Sequence, residues 1–179
     1  KPSSPPVAQA FVRAGCRAKV VFAPGGVRAA IVTCGGLCPG LNNVIAELFN
    51  CLYYNYSVDV VYGIRNGFRG FHDPHYQPWM RLTPELVDGI QADGGTMLGS
   101  SRGGFDLRKI MNSLEHYAIN QLYIIGGDGT HRAADEIAAQ AIRRGLKLTV
   151  AGVPKTIDND IGIIDRSFGF NTAVGKARK

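Results

Sequence analysis

The chain has 179 residues, 45% of them hydrophobic and 19% charged, with 20 Lys and Arg against 14 Asp and Glu for a net charge of +6. That is the composition of one well-packed globular domain, and no apolar run approaches the roughly 18 residues of a membrane-spanning helix. The basic residues are scattered with no polybasic run, so a phosphorylated small ligand suits the charge better than nucleic acid or a membrane surface, although a merely basic surface explains it about as well.

Taken in chain order, residues 1–12 open on a Pro/Ser-rich stretch and read as a disordered leader, with one domain over 13–179. No Asp or Glu precedes Glu47, a pattern that fits a transit peptide, a truncated start or a proline-rich leader equally. Residues 18–23 fit a short strand. Residues 28–34 form a compact apolar run fitting a buried strand, followed by a turn over Gly35-Gly36-Leu37-Cys38-Pro39-Gly40. Helical spacing of Val44, Ile45, Leu48, Phe49 and Leu52 predicts a helix over 42–54, and 58–64 reads as the next strand. An irregular stretch over 65–80 precedes Thr83-Pro84-Glu85, a helix start with Thr as cap and Pro in the first turn; that helix is expected to run to about Ala92. A Gly/Ser loop over 96–104 carries Arg102. Asp106 caps a helix to Tyr117, 121–125 is a strand, and 126–130 is a turn. A helix over 131–144 closes at Gly145. A strand over 146–153, a loop, and a helix from about Phe170 complete the chain. That helix is still running at the last residues, so the sequence reads as a fragment.

Strands alternate with helices across short connections. This predicts an α/β fold: a three-layer, doubly wound, mostly parallel sheet with helices on both faces and ligands at the carboxyl ends of the strands. The four cysteines, Cys16, Cys34, Cys38 and Cys51, contain no C-x-x-C pair, which argues against a zinc site and for a reducing compartment.

Several loops carry chemistry. Gly126-Gly127-Asp128-Gly129-Thr130 ends an apolar strand and opens a helix, where glycines and the helix N-terminus admit a polyphosphate. A carboxylate there would repel phosphate unless it holds Mg²⁺; read blandly, it is a tight turn with a capping Asp. No Walker-type G-x-x-x-x-G-K-[ST] occurs. The Gly35–Gly40 turn is either a phosphate cradle of another pattern or a plain Gly-Pro turn. Arg102, flanked by small residues, can lie over a phosphate or be an ordinary loop arginine. Val153 to Asp160 gathers Lys155, Thr156, Asp158 and Asp160. On an extended segment the two acids face the same way and can serve as a general base with a partner; the alternative is an acidic surface turn.

Together these phrases resemble the 6-phosphofructokinase family over about residues 13–174, and within it the plant-type, ATP-dependent branch. The carriers are Ile31 to Asn42, Ser101 to Gly104, Tyr123 to Thr130 and Val153 to Ile161, in that order. The resemblance implies Mg²⁺-dependent transfer of the ATP γ-phosphoryl to fructose 6-phosphate, the committed step of glycolysis, in an allosteric, commonly tetrameric enzyme of cytoplasm or plastid. It implies nucleotide contacts at Gly36, Arg102, Gly103, Gly127, Asp128, Gly129 and Thr130, with Asp128 on the metal. It implies sugar-phosphate contacts at Thr156, Ile157 and Asp158, with Asp158 as catalytic base and Asp160 as its supporting acid. Gly129 goes with ATP, whereas Lys155 also stands in pyrophosphate-using members; Gly129 carries more weight.

Three departures mark the chain. Leu37 stands where bacterial members carry an acid, Asn171 where Asp is expected, and Gly175 to Lys179 does not look like the expected helix. The segment that supplies most sugar-phosphate arginines is missing, so the isolated chain is expected to be inactive. Pyrophosphate-dependent catalysis and a non-catalytic nucleotide-binding module stand as the alternatives.

Overall fold

The computed structural model describes Gly15, residues 18–161 and residues 164–179. The expected leader and Cys16 lie outside the described residues.

Strand β1 (Arg28–Thr33) is the centre of the sheet, and its last five residues have no solvent exposure. Its apolar side chains alternate between two cores, Ala30 and Val32 in one, Ala29 and Ile31 in the other, as a strand buried on both faces requires. The other strands are β2 (Val60–Ile64), β3 (Met80–Arg81), β4 (Gln121–Gly126) and β5 (Thr149–Pro154). The order is β3-β2-β1-β4-β5, all parallel except β3. From β1 the chain first winds outward to β2, then returns to the other side through β4. The order therefore reverses between β1 and β4, which is where an open α/β sheet offers a crevice.

Helix α1 (Leu41–Asn50) covers one face with Leu41, Ile45, Ala46 and Phe49. Helices α3 (Leu107–His116) and α4 (Asp128–Arg143) cover the other with Ile110, Met111, Leu114, Ala133, Ala134, Ile137 and Ala141. The three-layer α/β expectation holds. The caps also behave as the sequence indicates. Asp106 accepts from the backbone N–H of Lys109, and Thr83 accepts from that of Leu86.

Five expectations are corrected. Residues 18–23 form bends before a 3₁₀ turn at Pro24–Gly26, not a strand. Both edges of β1 are already paired, and Val20 and Val21 stay exposed. The helix expected to reach Ala92 stops at Val87 as α2 (Pro84–Val87), because Asp88 is extended and Gly89 is left-handed at φ +76°; a separate turn spans Ile90–Ala92. In the stretch read as irregular, β3 pairs antiparallel with β2 through Tyr62–Arg81 and Gly63–Met80. Strand β5 begins at Thr149 rather than Leu146. The chain end does form a helix, α5 (Phe170–Ala177), started by left-handed Gly169 at φ +82°.

Candidate active site

Parallel register sets the site. Thr33 lies opposite Ile125, and Gly126 opposite Pro154, so β1, β4 and β5 end level and their following loops meet. They enclose a cleft of about 580 Å³. Its lining includes all twelve candidate residues: Gly36 after β1, Arg102 and Gly103 from the Gly/Ser loop, Gly127 to Thr130 after β4, and Lys155 to Asp158 with Asp160 after β5.

The first wall is sewn to the Gly/Ser loop. The Gly35 N–H donates to Ser101 O at 3.0 Å, the Ser100 hydroxyl to Gly35 O at 2.8 Å, and the Thr33 hydroxyl to Gly99 O at 2.6 Å. Arg102 thereby lies beside Gly36, where an added Cβ would stand 3.6 Å from its terminal nitrogen. Neither of the two ion pairs among the described residues involves Arg102, which leaves its fork of donors open to a bidentate anion.

The second wall is a helix start. Helix α4 begins at Asp128, earlier than the sequence pattern suggested, with extended Gly127 as its cap. Gly126 is packed so tightly that a Cβ would stand 2.6 Å from Thr130 Cβ, and Thr130 itself is buried. Gly129 is the opposite case: exposed, with no atom within 4 Å of an added Cβ. Its missing side chain leaves open space at a residue that lines the cleft, room that a ligand can use. Free backbone N–H groups and the helix dipole make this turn favourable for a polyphosphate.

The donor set can be weighed for a metal. No group of three His, Cys, Asp or Glu side chains poised for a metal occurs among the described residues, so a dedicated protein cage is absent there. Asp128 lies exposed in the first turn of α4. One carboxylate completed by phosphate oxygens and water is the usual way Mg²⁺ is held, and Asp128 fits it.

The third wall carries the acids. Thr156 is their hub: its hydroxyl donates to Asp160 Oδ1 at 2.6 Å and accepts the Asp158 N–H at 3.1 Å. The expectation of an extended segment fails here. Asn159 is left-handed at φ +54°, so the run folds into a tight hydroxyl-centred turn. Ile157, Asp158 and Asp160 nevertheless all reach the cleft and are exposed. The Thr156 hydroxyl is already committed to the turn and keeps one acceptor lone pair for a ligand.

Lys155 joins the walls. It is buried at 5% exposure, and its ammonium donates to Gly36 O at 2.7 Å. Burial pulls its pKa below the usual lysine value, and the nearby Arg102 charge acts in the same direction. The Cys34 thiol is pushed up to about 12 by its own burial, and burial raises Cys38 as well, so both remain protonated at neutral pH. A lysine with a lowered folded-state pKa weakens the fold while charged, and the penalty fades as pH rises through that pKa toward 10.5. Lys155→Met should therefore be no less stable than wild type at pH 7 in denaturant melts, with any advantage shrinking as the pH approaches 10. A variant clearly less stable at pH 7 would mean that the Gly36 bond outweighs the desolvation.

The cleft also holds residues that the sequence motifs do not single out. Arg132 and Glu136 follow Asp128 at four-residue intervals on α4. That spacing shares one helix face, which a helix expected only from His131 does not include. Phe68 and Phe105 pack edge to face with centroids 5.2 Å apart and give the cleft an apolar wall; no sequence spacing links positions so far apart.

Comparison with known proteins agrees with this architecture. The family model described as Phosphofructokinase matches residues 28–179. The chain is 53% identical over 169 residues to ATP-dependent 6-phosphofructokinase 7 of Arabidopsis thaliana, covering 94% of this chain and 34% of that protein. It is 46% identical over 165 residues to ATP-dependent 6-phosphofructokinase of Borreliella burgdorferi, covering 92% and 37%. Among solved structures, Pichia pastoris phosphofructokinase in the T-state superposes with TM-score 0.72 at 22% identity, over 84% of this chain and 17% of that one. Pyrophosphate-dependent phosphofructokinase from Nitrosospira multiformis gives 0.71 at 19%, over 86% and 41%. The chain thus spans about a third of the length of the curated relatives it matches. With a family match from β1 to the last residue and relatives near 50% identity, the chain belongs to the phosphofructokinase family.

Proposed function

We propose that the whole protein transfers the γ-phosphoryl group of ATP to the 1-hydroxyl of fructose 6-phosphate. The observation that carries this reading is the meeting, in one cleft, of a phosphate-ready helix start bearing Asp128 and a loop bearing Asp158 and Asp160. The relatives near 50% identity are named ATP-dependent 6-phosphofructokinases, which supports both donor and acceptor.

Phosphoryl transfer asks mainly for positioning and charge neutralisation. Gly36, Arg102, Gly103 and the Gly127–Thr130 turn would bind the nucleotide, Arg102 offering a bidentate fork to its phosphates. Asp128 would hold Mg²⁺, which when bound neutralises phosphate charge. Asp158 would take the proton from the sugar hydroxyl as it attacks, with Asp160 and Thr156 holding that loop in shape and Ile157 packing against the sugar. Buried Lys155 would add fixed positive charge between the donor and acceptor sides. Open space at Gly129 supports ATP, since it leaves room beside the polyphosphate. No helix among the described residues is long and apolar enough to cross a membrane. A cytosolic or plastid setting and a homotetramer fit the same reading.

The deciding measurement is a donor assay on the whole protein. Fructose 1,6-bisphosphate should form from fructose 6-phosphate with Mg-ATP. Formation with pyrophosphate and not with ATP would overturn the donor, and formation with neither would leave nucleotide binding without turnover and sink the catalytic reading.

A further inference from the structure

Between the two acids sits Asn159, which a reading of the motif treats as a spacer. The structure gives it a different character. Asp158 and Asp160 are exposed to the cleft, while Asn159 is half-buried and turned the other way. It is one of four non-glycine residues with positive φ among the described residues, a conformation in which Asn is enriched because its short amide can bond locally. Both ends of that amide are used. Asn159 Oδ1 accepts the Ser167 N–H at 2.7 Å, and Asn159 Nδ2 donates to Asp165 O at 3.2 Å.

Ser167 closes the circuit. It is buried at 5% exposure, and its hydroxyl accepts the Thr156 N–H at 3.1 Å. One residue on, Phe168 O accepts from the Cys38 thiol at 3.1 Å. The segment 165–168 is thus bonded to both ends of the acid turn and to the loop after β1. Side-chain bonds to backbone are what fix a loop that has no sheet or helix to hold it.

We propose that Asn159 and Ser167 are positioning residues for phosphoryl transfer: they clamp the Thr156–Asp160 turn so that the Asp158 carboxylate stands at a fixed place in the cleft. Among the described residues no hydrogen bond joins the clamp to the Gly127–Thr130 turn, so its effect is expected on the acceptor side. This rests on the proposed role of Asp158 as base. A loosened base loses rate because reacting groups must meet within a fraction of an ångström, and a 1 Å misplacement can cost about 10²-fold.

The test uses two variants of the whole protein. Asn159→Gly keeps the left-handed backbone and removes both amide bonds. Ser167→Ala removes the hydroxyl that receives Thr156, with little change of volume. Each should lower kcat about 10-fold or more while the KM for ATP and the melting temperature stay near wild type. The double variant should lose little beyond the worse single one, because both act on one turn. A smaller loss in Asn159→Gly overturns the proposal, as does a loss matched by weaker ATP binding or early melting. Asp158→Asn in the same assay separates the layers. If it is crippled while Asn159→Gly is not, the clamp fails and the base stands; if Asp158→Asn turns over normally, the base assignment itself has failed.

Discussion

Replacing Asp158 with Asn should cut kcat of the whole protein by about 10²–10⁴-fold, the usual loss when a general base is removed. The change is nearly isosteric, and the loop does not depend on the carboxylate. It is the Asp158 backbone N–H, not its side chain, that bonds to Thr156. Fold and ATP affinity should therefore survive, with the loss confined to the step in which the sugar hydroxyl is deprotonated. Asp160→Asn should behave differently. Its remaining oxygen can still accept the Thr156 hydroxyl, so the turn persists and the effect should be the smaller of the two. Near-normal turnover in Asp158→Asn, measured by fructose 1,6-bisphosphate release, would remove the base assignment.

Gly129→Asp should separate stability from activity. An added Cβ at Gly129 meets nothing within 4 Å, so the side chain fits without strain. It would sit beside Asp128 in the first turn of α4, where a negative charge is favoured by the helix dipole. Melting temperature should hold or rise. The same charge would point into the space the polyphosphate needs, and like charges brought together there cost several kcal/mol. We expect kcat/KM for ATP to fall about 10²-fold or more, with pyrophosphate turnover affected less. Wild-type kinetics with ATP in this variant would show that the space at Gly129 faces no phosphate.

Much of this was legible in the sequence because the signals were local. Alternation of apolar runs with helical spacing predicts the sheet and its layers, and the caps at Thr83 and Asp106 are spelled in three or four residues. The glycine turns and the acidic loop announce which strand ends matter, and parallel register then brings them to one place. What was not legible depends on partners distant in the chain. Two residues, Met80 and Arg81, become a strand only because β2 offers its free edge. The helix after Pro84 stops because Asp88 and Gly89 leave the helical region, although the apolar pattern runs on. Asn159 reads as filler until Ser167, eight residues later, turns back to meet it. Phe68 and Phe105 meet only in three dimensions.

The position of β5 carries one more consequence. It lies beside β4 in parallel register, so the loop that follows it, with no helix or strand over residues 155–161, starts level with the turn after β4. A stretch without regular hydrogen-bonded structure opens locally at small cost. The turn after β4 passes straight into α4, whereas the acids stand on a loop held by side chains. The hydrogen bonds from Lys155 to Gly36 and from Ser167 to Asn159 are the ties that limit such opening.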